Sequence, residues 1–384
     1  MKATLNIVTV SFDRREILKN NPEEIIEKLN RDRMRPRDNN FLLISWAASD
    51  FEKKISEHLT GVNLKSRFTH MRPLYDFLSI FYIPYVVRKH KFSPDVFIVS
   101  DFPLIFSGLF LKFFWGTKII ITVTNLPRDL LKTRSNSVMR DVYQRSAEFF
   151  GTFLIDKALV INRATKTYVS NLGVPEGNIR TFCPDVISRD LEFIKNSKRG
   201  LVRNRFAIPE NKKILFSVGR LEKEKGFERL IRLFSEMDTK DWVLIIAGRG
   251  SLEGKLKELI KENNLEDAVV LVGYIERKDI WDFYRDADLF ILLPHSEALG
   301  LVFWEAMYMK VPVLGSGAAG VLETIGGDGE RGFIWEEKEG PLGLEHKIKK
   351  ALRHKDRSIV EMTERASAYV HEKMNAEEGI NDFV

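Results

Sequence analysis

The chain has 384 residues, of which 44% are hydrophobic and 30% charged, an ordinary balance for a globular protein of two to three domains at roughly 150 residues each. A single cysteine, Cys183, excludes an intrachain disulfide and a cysteine-based metal cluster and suits a reducing cytoplasm. The net charge of +6 is uneven: residues 1–195 carry 30 Lys and Arg against 21 Asp and Glu, a net +9, and the remainder is at −3.

The start, Met1 to Val10, turns polar too soon for a signal peptide and reads as a first strand over Leu5–Val10. Further strands are expected at Phe41–Ser45, Val96–Ser100, Lys118–Val123 and Ala158–Ile161. Helical patterns lie between them at Glu23–Leu29, Pro73–Val87 and Ser137–Phe149, with Leu104–Phe114 as a largely buried helix. No span qualifies as transmembrane, because Lys112 and Lys118 interrupt the most apolar stretch, Phe102–Val123. The aromatic run Tyr75, Phe77, Phe81, Tyr82 and Tyr85, with Arg72, Arg88, Lys89 and Lys91, suits either an interfacial helix or a core-facing helix with basic ends. Amphipathicity ordinarily means packing, which favours the second reading. A basic amino-terminal half also suits peripheral contact with anionic membrane, where each basic residue contributes about 1 kcal/mol near the surface. No nucleic-acid signature accompanies the charge, so nucleic acid is not an expected partner.

A polar, charge-rich segment from about Ile187 to Lys212 separates the halves. The strand-then-helix rhythm resumes with strands at Ile214–Val218, Trp242–Ala247, Val269–Val272, Asp288–Leu293 and Val311–Leu314. Such alternation implies parallel sheets covered by helices.

Two loops in this half carry chemistry. After Lys213–Val218 comes Gly219-Arg220-Leu221-Glu222-Lys223-Glu224-Lys225-Gly226, a glycine-bounded basic turn leading into a helical pattern at Phe227, Leu230, Ile231 and Phe234. Arg offers a planar fork for phosphate oxygens and Lys a mobile point charge. After Asp288–Leu293, Glu297 and Glu305 lie eight positions apart around Gly300, with Leu299, Leu301 and Val302 at a loop-to-helix junction. Unpaired amides and a positive dipole end make such a junction an anion site, and carboxylates suit sugar hydroxyls.

Gly-Arg-Leu-x-x-x-Lys-Gly, then Ala247-Gly248-x-Gly250, then Gly273-Tyr274, then Glu297-x7-Glu305, resembles the retaining GT-B glycosyltransferases of family GT4. The likeness is specific over Lys213–Glu323; before about residue 150 only a general α/β pattern remains. It implies an α/β chain of two doubly wound Rossmann-like domains facing a central cleft. The acceptor-binding domain would span 1–190, a linker 191–212 and the donor-binding domain 213–365. A closing segment, 366–384, would return to the first domain. It implies transfer of a sugar from a nucleoside diphosphate sugar to an acceptor hydroxyl of a glycan, a lipid-linked acceptor or a small molecule, with retained configuration. Arg220 and Lys225 would hold the diphosphate, Glu297 the sugar near the reacting carbon and Glu305 the ribose. Gly219, Gly248, Gly250 and the amides of Leu299 to Val302 would border the donor, with Tyr274 and Ile275 beside the base. On the acceptor side the corresponding residues are Arg14, Arg15, Asn125 and Arg128.

The chain departs from that family in places. Ser11-Phe12-Asp13 stands where many members have a glycine pair, and Asn125 where many have a histidine, so acid–base help there is not expected. Lys310 replaces a frequent glycine, which requires that the residue not take a positive φ. Asp286-Ala287-Asp288 has the D-x-D form of metal-dependent transferases, but its helix-to-strand position favours a structural role, and no metal or other cofactor is expected to be required. A non-catalytic nucleotide-sugar-binding or scaffold protein is the alternative. A Rossmann dehydrogenase ranks below it, because it gives Glu297-x7-Glu305 no role.

Overall fold

The computed structural model describes residues 4–11, 39–47, 51–65, 72–99, 102–123, 145–146, 148–182 and 187–375. The chain divides into two compact units at Asp185–Val186.

The first unit runs β1 (Asn6–Ser11), β2 (Asn40–Ala47), β3 (Phe51–Ser56), β4 (Leu59–Lys65), α1 (Arg72–Lys89), β5 (Val96–Val99), α2 (Leu109–Trp115), β6 (Lys118–Val123), β7 (Lys157–Val160), α3 (Arg163–Asn171) and β8 (Ile179–Thr181). Among the described residues its eight strands are ordered β3-β4-β2-β1-β5-β6-β7-β8, and of these pairings only β3–β4 is antiparallel. Central strands such as Val96-Phe97-Ile98-Val99 are buried on both faces, as continuous apolar runs in a covered parallel sheet should be. Asn162 caps α3 through its side chain, which accepts the Thr165 N–H at 2.7 Å.

Two expectations change here. Leu104–Phe114 is not one buried helix: a 3-10 stretch over Phe102–Gly108 precedes α2, and Leu109, Phe113 and Phe114 are exposed. Helix α1 does face the core through Ile83, Val86 and Val87, yet its outer face exposes Phe81, Tyr82 and Tyr85. The β3–β4 pair carries the polar run Phe-Glu-Lys-Lys-Ile-Ser and has no apolar signature, which is how edge strands are commonly composed. The expected helix Glu23–Leu29 and most of Ser137–Phe149 lie outside the described residues. No described helix is long and apolar enough to cross a membrane.

The second unit begins with α4 (Leu191–Asn196) and α5 (Leu201–Arg205). It continues with β9 (Lys213–Val218), α6 (Phe227–Ser235), β10 (Trp242–Ala247), α7 (Glu253–Glu262), β11 (Val269–Gly273), α8 (Ile280–Asp286) and β12 (Leu289–Leu292). It ends with α9 (Leu301–Tyr308), β13 (Val313–Ser316), α10 (Ala319–Ile325), β14 (Phe333–Trp335), α11 (Gly340–Ala351) and α12 (Arg357–Asn375). Its parallel sheet is ordered β11-β10-β9-β12-β13-β14, so the chain reverses direction across the sheet between β9 and β12. Open α/β sheets bind ligands outside the carboxyl ends of their strands at such a reversal.

Residues 191–212, read from sequence as a linker, hold α4 and α5 fastened to α8. The Asp286 carboxylate accepts N–H groups of Gly200, Val202 (2.8 Å) and Arg203 (3.2 Å), capping α5 from a distant part of the chain. Arg285 donates to Ser197 Oγ at 2.7 Å and Ile194 O at 3.0 Å. Asp288 accepts from Ile214 N at 2.9 Å and Lys213 Nζ at 3.1 Å. Both carboxylates of the D-x-D sequence therefore fasten backbone. Burial opposes the Asp288 charge, but His354, the Ile214 amide and Lys213 outweigh it and hold its pKa at about 2. A folded pKa below the ordinary 3.8 means that the stabilisation is full above that value and is lost as pH falls through about 2. Asp288→Asn should therefore lose about 2 kcal/mol at pH 7 and show a shallower acid dependence below pH 4, read from urea midpoints.

Helix α12 packs on α9, with Trp304 against Tyr369 at 5.8 Å and Tyr308 against His371 at 4.9 Å. The closing segment thus stays with the second unit through Asn375; residues 376–384 lie outside the described residues. Lys310, in the turn after α9, has φ +58°, contrary to the requirement read from its sequence position. The left-handed conformation costs a non-glycine residue about 1–2 kcal/mol, and the exposed Lys310–Glu364 pair at 2.7 Å returns little of it. Lys310→Gly should stabilise the protein by about 0.5–1 kcal/mol in denaturant titration; destabilisation would show that the ion pair outweighs the strain.

Candidate functional site

The loops that follow β9, β10, β11 and β12 meet at the carboxyl ends of the second sheet. Gly219 N donates to Ala247 O at 3.1 Å, Leu221 N to Arg249 O at 2.9 Å, and Gly248 N to Gly273 O at 2.7 Å. These bonds make one shelf of Gly219, Gly248, Gly250 and the start of the Tyr274 loop. Tyr274 is exposed, with the Arg249 guanidinium 5.3 Å from its ring centre. With Ile275 it borders a hollow shared with Arg205, Val272, Glu276 and Asp279.

The basic and acidic loops join across the strand reversal. His295 N donates to Glu224 O at 2.9 Å, and Arg229 donates to the carbonyls of Leu293 and Pro294. Gly226 has φ +71°, and a Cβ there would sit 1.9 Å from Leu293 O, so only glycine permits this approach. At the junction Lys225 Nζ lies 2.6 Å from Glu297 Oε2, both side chains mostly buried. Arg220 is more exposed and donates to Glu224 Oε1 at 2.7 Å. Burial, then the nearby Arg229, pushes His295 below its ordinary pKa and favours a neutral ring at pH 7.

Gly300, at φ +68°, caps the start of α9 without any side-chain cap. Leu299, just before it, is buried; its carbonyl accepts the Thr324 hydroxyl, which in turn accepts Trp304 Nε1–H at 3.0 Å. This anchoring fixes where the first amides of α9, beginning with Leu301 and Val302, emerge. Glu305 lies one turn inside the helix and is buried. Arg277 Nη1 donates to its Oε1 at 2.6 Å, and the Tyr284 hydroxyl to its Oε2 at 2.7 Å. Arg277 also donates through Nε to buried Asp190 at 2.5 Å and lies 5.1 Å from the Trp281 ring centre. Burial opposes the guanidinium charge, but Glu305 and Asp190 outweigh it and raise the Arg277 pKa. Burial first, and then Glu305, pushes the Tyr284 phenol well above its usual range.

The structure therefore brings Lys225, Arg220, Glu297, Gly300 and Glu305 to one edge of one sheet. Arg14, Arg15, Asn125 and Arg128 lie outside the described residues. Sequence reading missed Arg277, Tyr284 and Asp190. Arg277 stands in the charged turn Glu276-Arg277-Lys278-Asp279, which looks solvated, and nothing in one sequence couples it to Glu305. Among the described residues, no group of three or more His, Cys, Asp or Glu side chains is placed to hold a metal.

Residues 199–373 match the family model described as glycosyl transferases group 1. An uncharacterized glycosyltransferase of Haemophilus influenzae is 34% identical over 147 residues, covering 38% of this chain and 40% of that protein. The chain aligns with half or less of the length of the first curated relatives it matches. Among solved structures, sucrose-phosphate synthase from Thermosynechococcus elongatus superposes with a TM-score of 0.75 at 17% identity, over 97% of this chain and 95% of that one. Anabaena HepE, in complex with UDP and glucose, gives 0.69 at 14% identity, over 96% and 95%. The fold is accordingly GT-B, an α/β chain with two mainly parallel sheets and flanking helices. In sequence, the resemblance to the glycosyl transferases group 1 family rests on residues 199–373, a little under half of the chain.

Proposed function

We propose that this chain is a retaining glycosyltransferase that takes its sugar from a nucleoside diphosphate sugar bound at the carboxyl ends of β9 to β12. The observation that carries the reading is the Lys225–Glu297 pair, which sets an ammonium and a carboxylate side by side at the strand reversal. UDP in the complex of the structurally similar HepE supports a nucleoside diphosphate as the donor's leaving group.

In the reaction, the bond between the anomeric carbon and the diphosphate oxygen breaks and a bond to the acceptor oxygen forms. The acceptor proton leaves with the nucleoside diphosphate. Lys225 neutralises the charge that grows on the departing oxygen, and Arg220 exchanges Glu224 for a phosphate oxygen. Fixed charges aimed at a leaving group commonly supply the largest catalytic term. The amides at the start of α9 face the anionic and polar edge of the donor. Glu297, freed in part from Lys225, receives sugar hydroxyls. Glu305 accepts the ribose hydroxyls on the lone pairs that Arg277 and Tyr284 leave open, since each carboxylate oxygen can take two donors. Arg277 and Tyr284 are positioning residues.

The test is a panel of nucleoside diphosphate sugars incubated with the protein and candidate acceptors, followed by mass spectrometry and NMR of the product's anomeric centre. Transfer with the donor's configuration retained is the expected result. An inverted product would overturn the retaining assignment, and donor binding with no transfer or hydrolysis would make the chain a nucleotide-sugar-binding protein.

A further inference from the structure

The chain enters the second unit through residues 187–196, and side chains on and just before α8 hold this segment and its continuation in place. Arg285 holds Ser197 and Ile194, Asp282 accepts the Lys198 N–H at 2.8 Å, and Asp286 takes the amides that open α5. The fastening at Asp190 differs from these, because the side chain that makes it, Arg277, also holds Glu305. Asp190 ends the 3-10 turn Ser188–Asp190, and its side chain is only 2% exposed. A carboxylate buried so deeply calls for a cation beside it, and the cation it has is one the donor site also uses.

Three points fix the guanidinium of Arg277. Nε donates to Asp190, Nη1 donates to Glu305 Oε1, and the group lies over the Trp281 ring. A guanidinium fork can grip both oxygens of one carboxylate. With Nε engaged by Asp190, Arg277 meets Glu305 at Oε1 and leaves Oε2 to the Tyr284 hydroxyl. Each Glu305 oxygen then keeps a lone pair for a ribose hydroxyl. Once released on the Asp190 side, the guanidinium can turn onto Glu305 as a two-pronged clamp and fill the open place at Oε2. We propose that Asp190 is a positioning residue for the donor ribose, acting through Arg277 on Glu305. The proposal rests on the reading of Glu305 as the ribose acceptor. It goes beyond that reading by placing a determinant of donor affinity in the segment through which the chain enters the second unit, outside the loops that follow β9 to β12.

The experiment is calorimetry of the full chain with UDP and GDP, and with their 2′,3′-dideoxy forms, which lack the ribose hydroxyls. In Asp190→Ala, affinity for the ribonucleotide that binds should fall about tenfold, as loss of one charge-assisted contact implies, while affinity for its dideoxy form stays unchanged. Asp190→Ala/Glu305→Gln should be no weaker than Glu305→Gln alone, because residues that act as one unit are not additive. Arg277 stays paired with Glu305 in Asp190→Ala, so its own charge is not stranded. Asp190→Asn keeps an acceptor for the Nε–H, should show a smaller loss confined to the ribonucleotide, and keeps the test available if the alanine variant folds poorly. Wild-type ribonucleotide affinity in both Asp190 variants would overturn the proposal and leave the donor reading standing. So would an equal loss against ribose and dideoxy forms, which marks a structural prop. A wild type that binds the two forms alike would instead remove the ribose role of Glu305, and the proposal with it.

Discussion

Lys225→Ala should lower turnover at least about a hundredfold, the usual loss when one preorganised charge-stabilising group is removed from a reacting centre. The donor should still enter the shelf of Gly219, Gly248 and Gly250, so the loss should exceed any change in donor affinity. The geometry adds a second effect, on stability. Lys225 is the ion-pair partner of Glu297, whose side chain is only 11% exposed. Removing the ammonium leaves a nearly buried carboxylate with less compensation, at a cost of about 1–3 kcal/mol. Lys225→Ala/Glu297→Ala should recover part of that stability but none of the turnover. A single variant that matches wild-type turnover under saturating donor would remove Lys225 from the mechanism.

Arg277→Leu should have the largest stability effect of any single change at the site. It removes the shared partner of two buried carboxylates, Glu305 and Asp190. Breaking a buried ion pair by deleting one member costs about 3–5 kcal/mol, because the other charge stays behind unpaired. At about 2–4 °C per kcal/mol for a unit of this size, the melting temperature should fall by about 10 °C. Arg277→Leu/Glu305→Gln/Asp190→Asn should regain much of it, since the stranded charges are gone. Tyr284→Phe separates positioning from stability: it removes only the phenol that holds Glu305 Oε2, so donor affinity should drop with a smaller change in melting. If neither Arg277→Leu nor Tyr284→Phe alters donor affinity, Glu305 does not hold the donor.

The parts of this molecule legible in its sequence were those whose physics is local. Central strands such as Trp242–Ala247 and Ile214–Val218 read as apolar runs because both faces of a parallel sheet are covered. The turn after β9 and the junction at Gly300 read through their glycines and charges. What escaped depends on contacts between distant positions. The structural role of Asp286 was legible from its helix-to-strand position, but not its target: it caps α5 some 86 residues away, which turns an apparent linker into part of the second unit. Arg277 and Glu305, 28 positions apart, are paired by the fold and by no periodicity. Lys310 shows the converse limit: its side chain gave no sign that the backbone beneath it would take φ +58°. On the first sheet, β3 was invisible because charged edge strands lack the apolar signature that reveals covered ones.

The central claim is that an activated sugar sits at the strand reversal of the second sheet, its diphosphate met by Arg220 and Lys225 and its hydroxyls by two carboxylates. Isothermal calorimetry of the wild type against UDP, GDP and their hexose conjugates tests it most directly. Saturable heat should appear with at least one of them, with affinity weakened about tenfold or more in Arg220→Ala and in Glu305→Gln, as loss of one charge-assisted contact implies. No heat from any of these ligands, or equal affinity in wild type and both variants, would contradict the account.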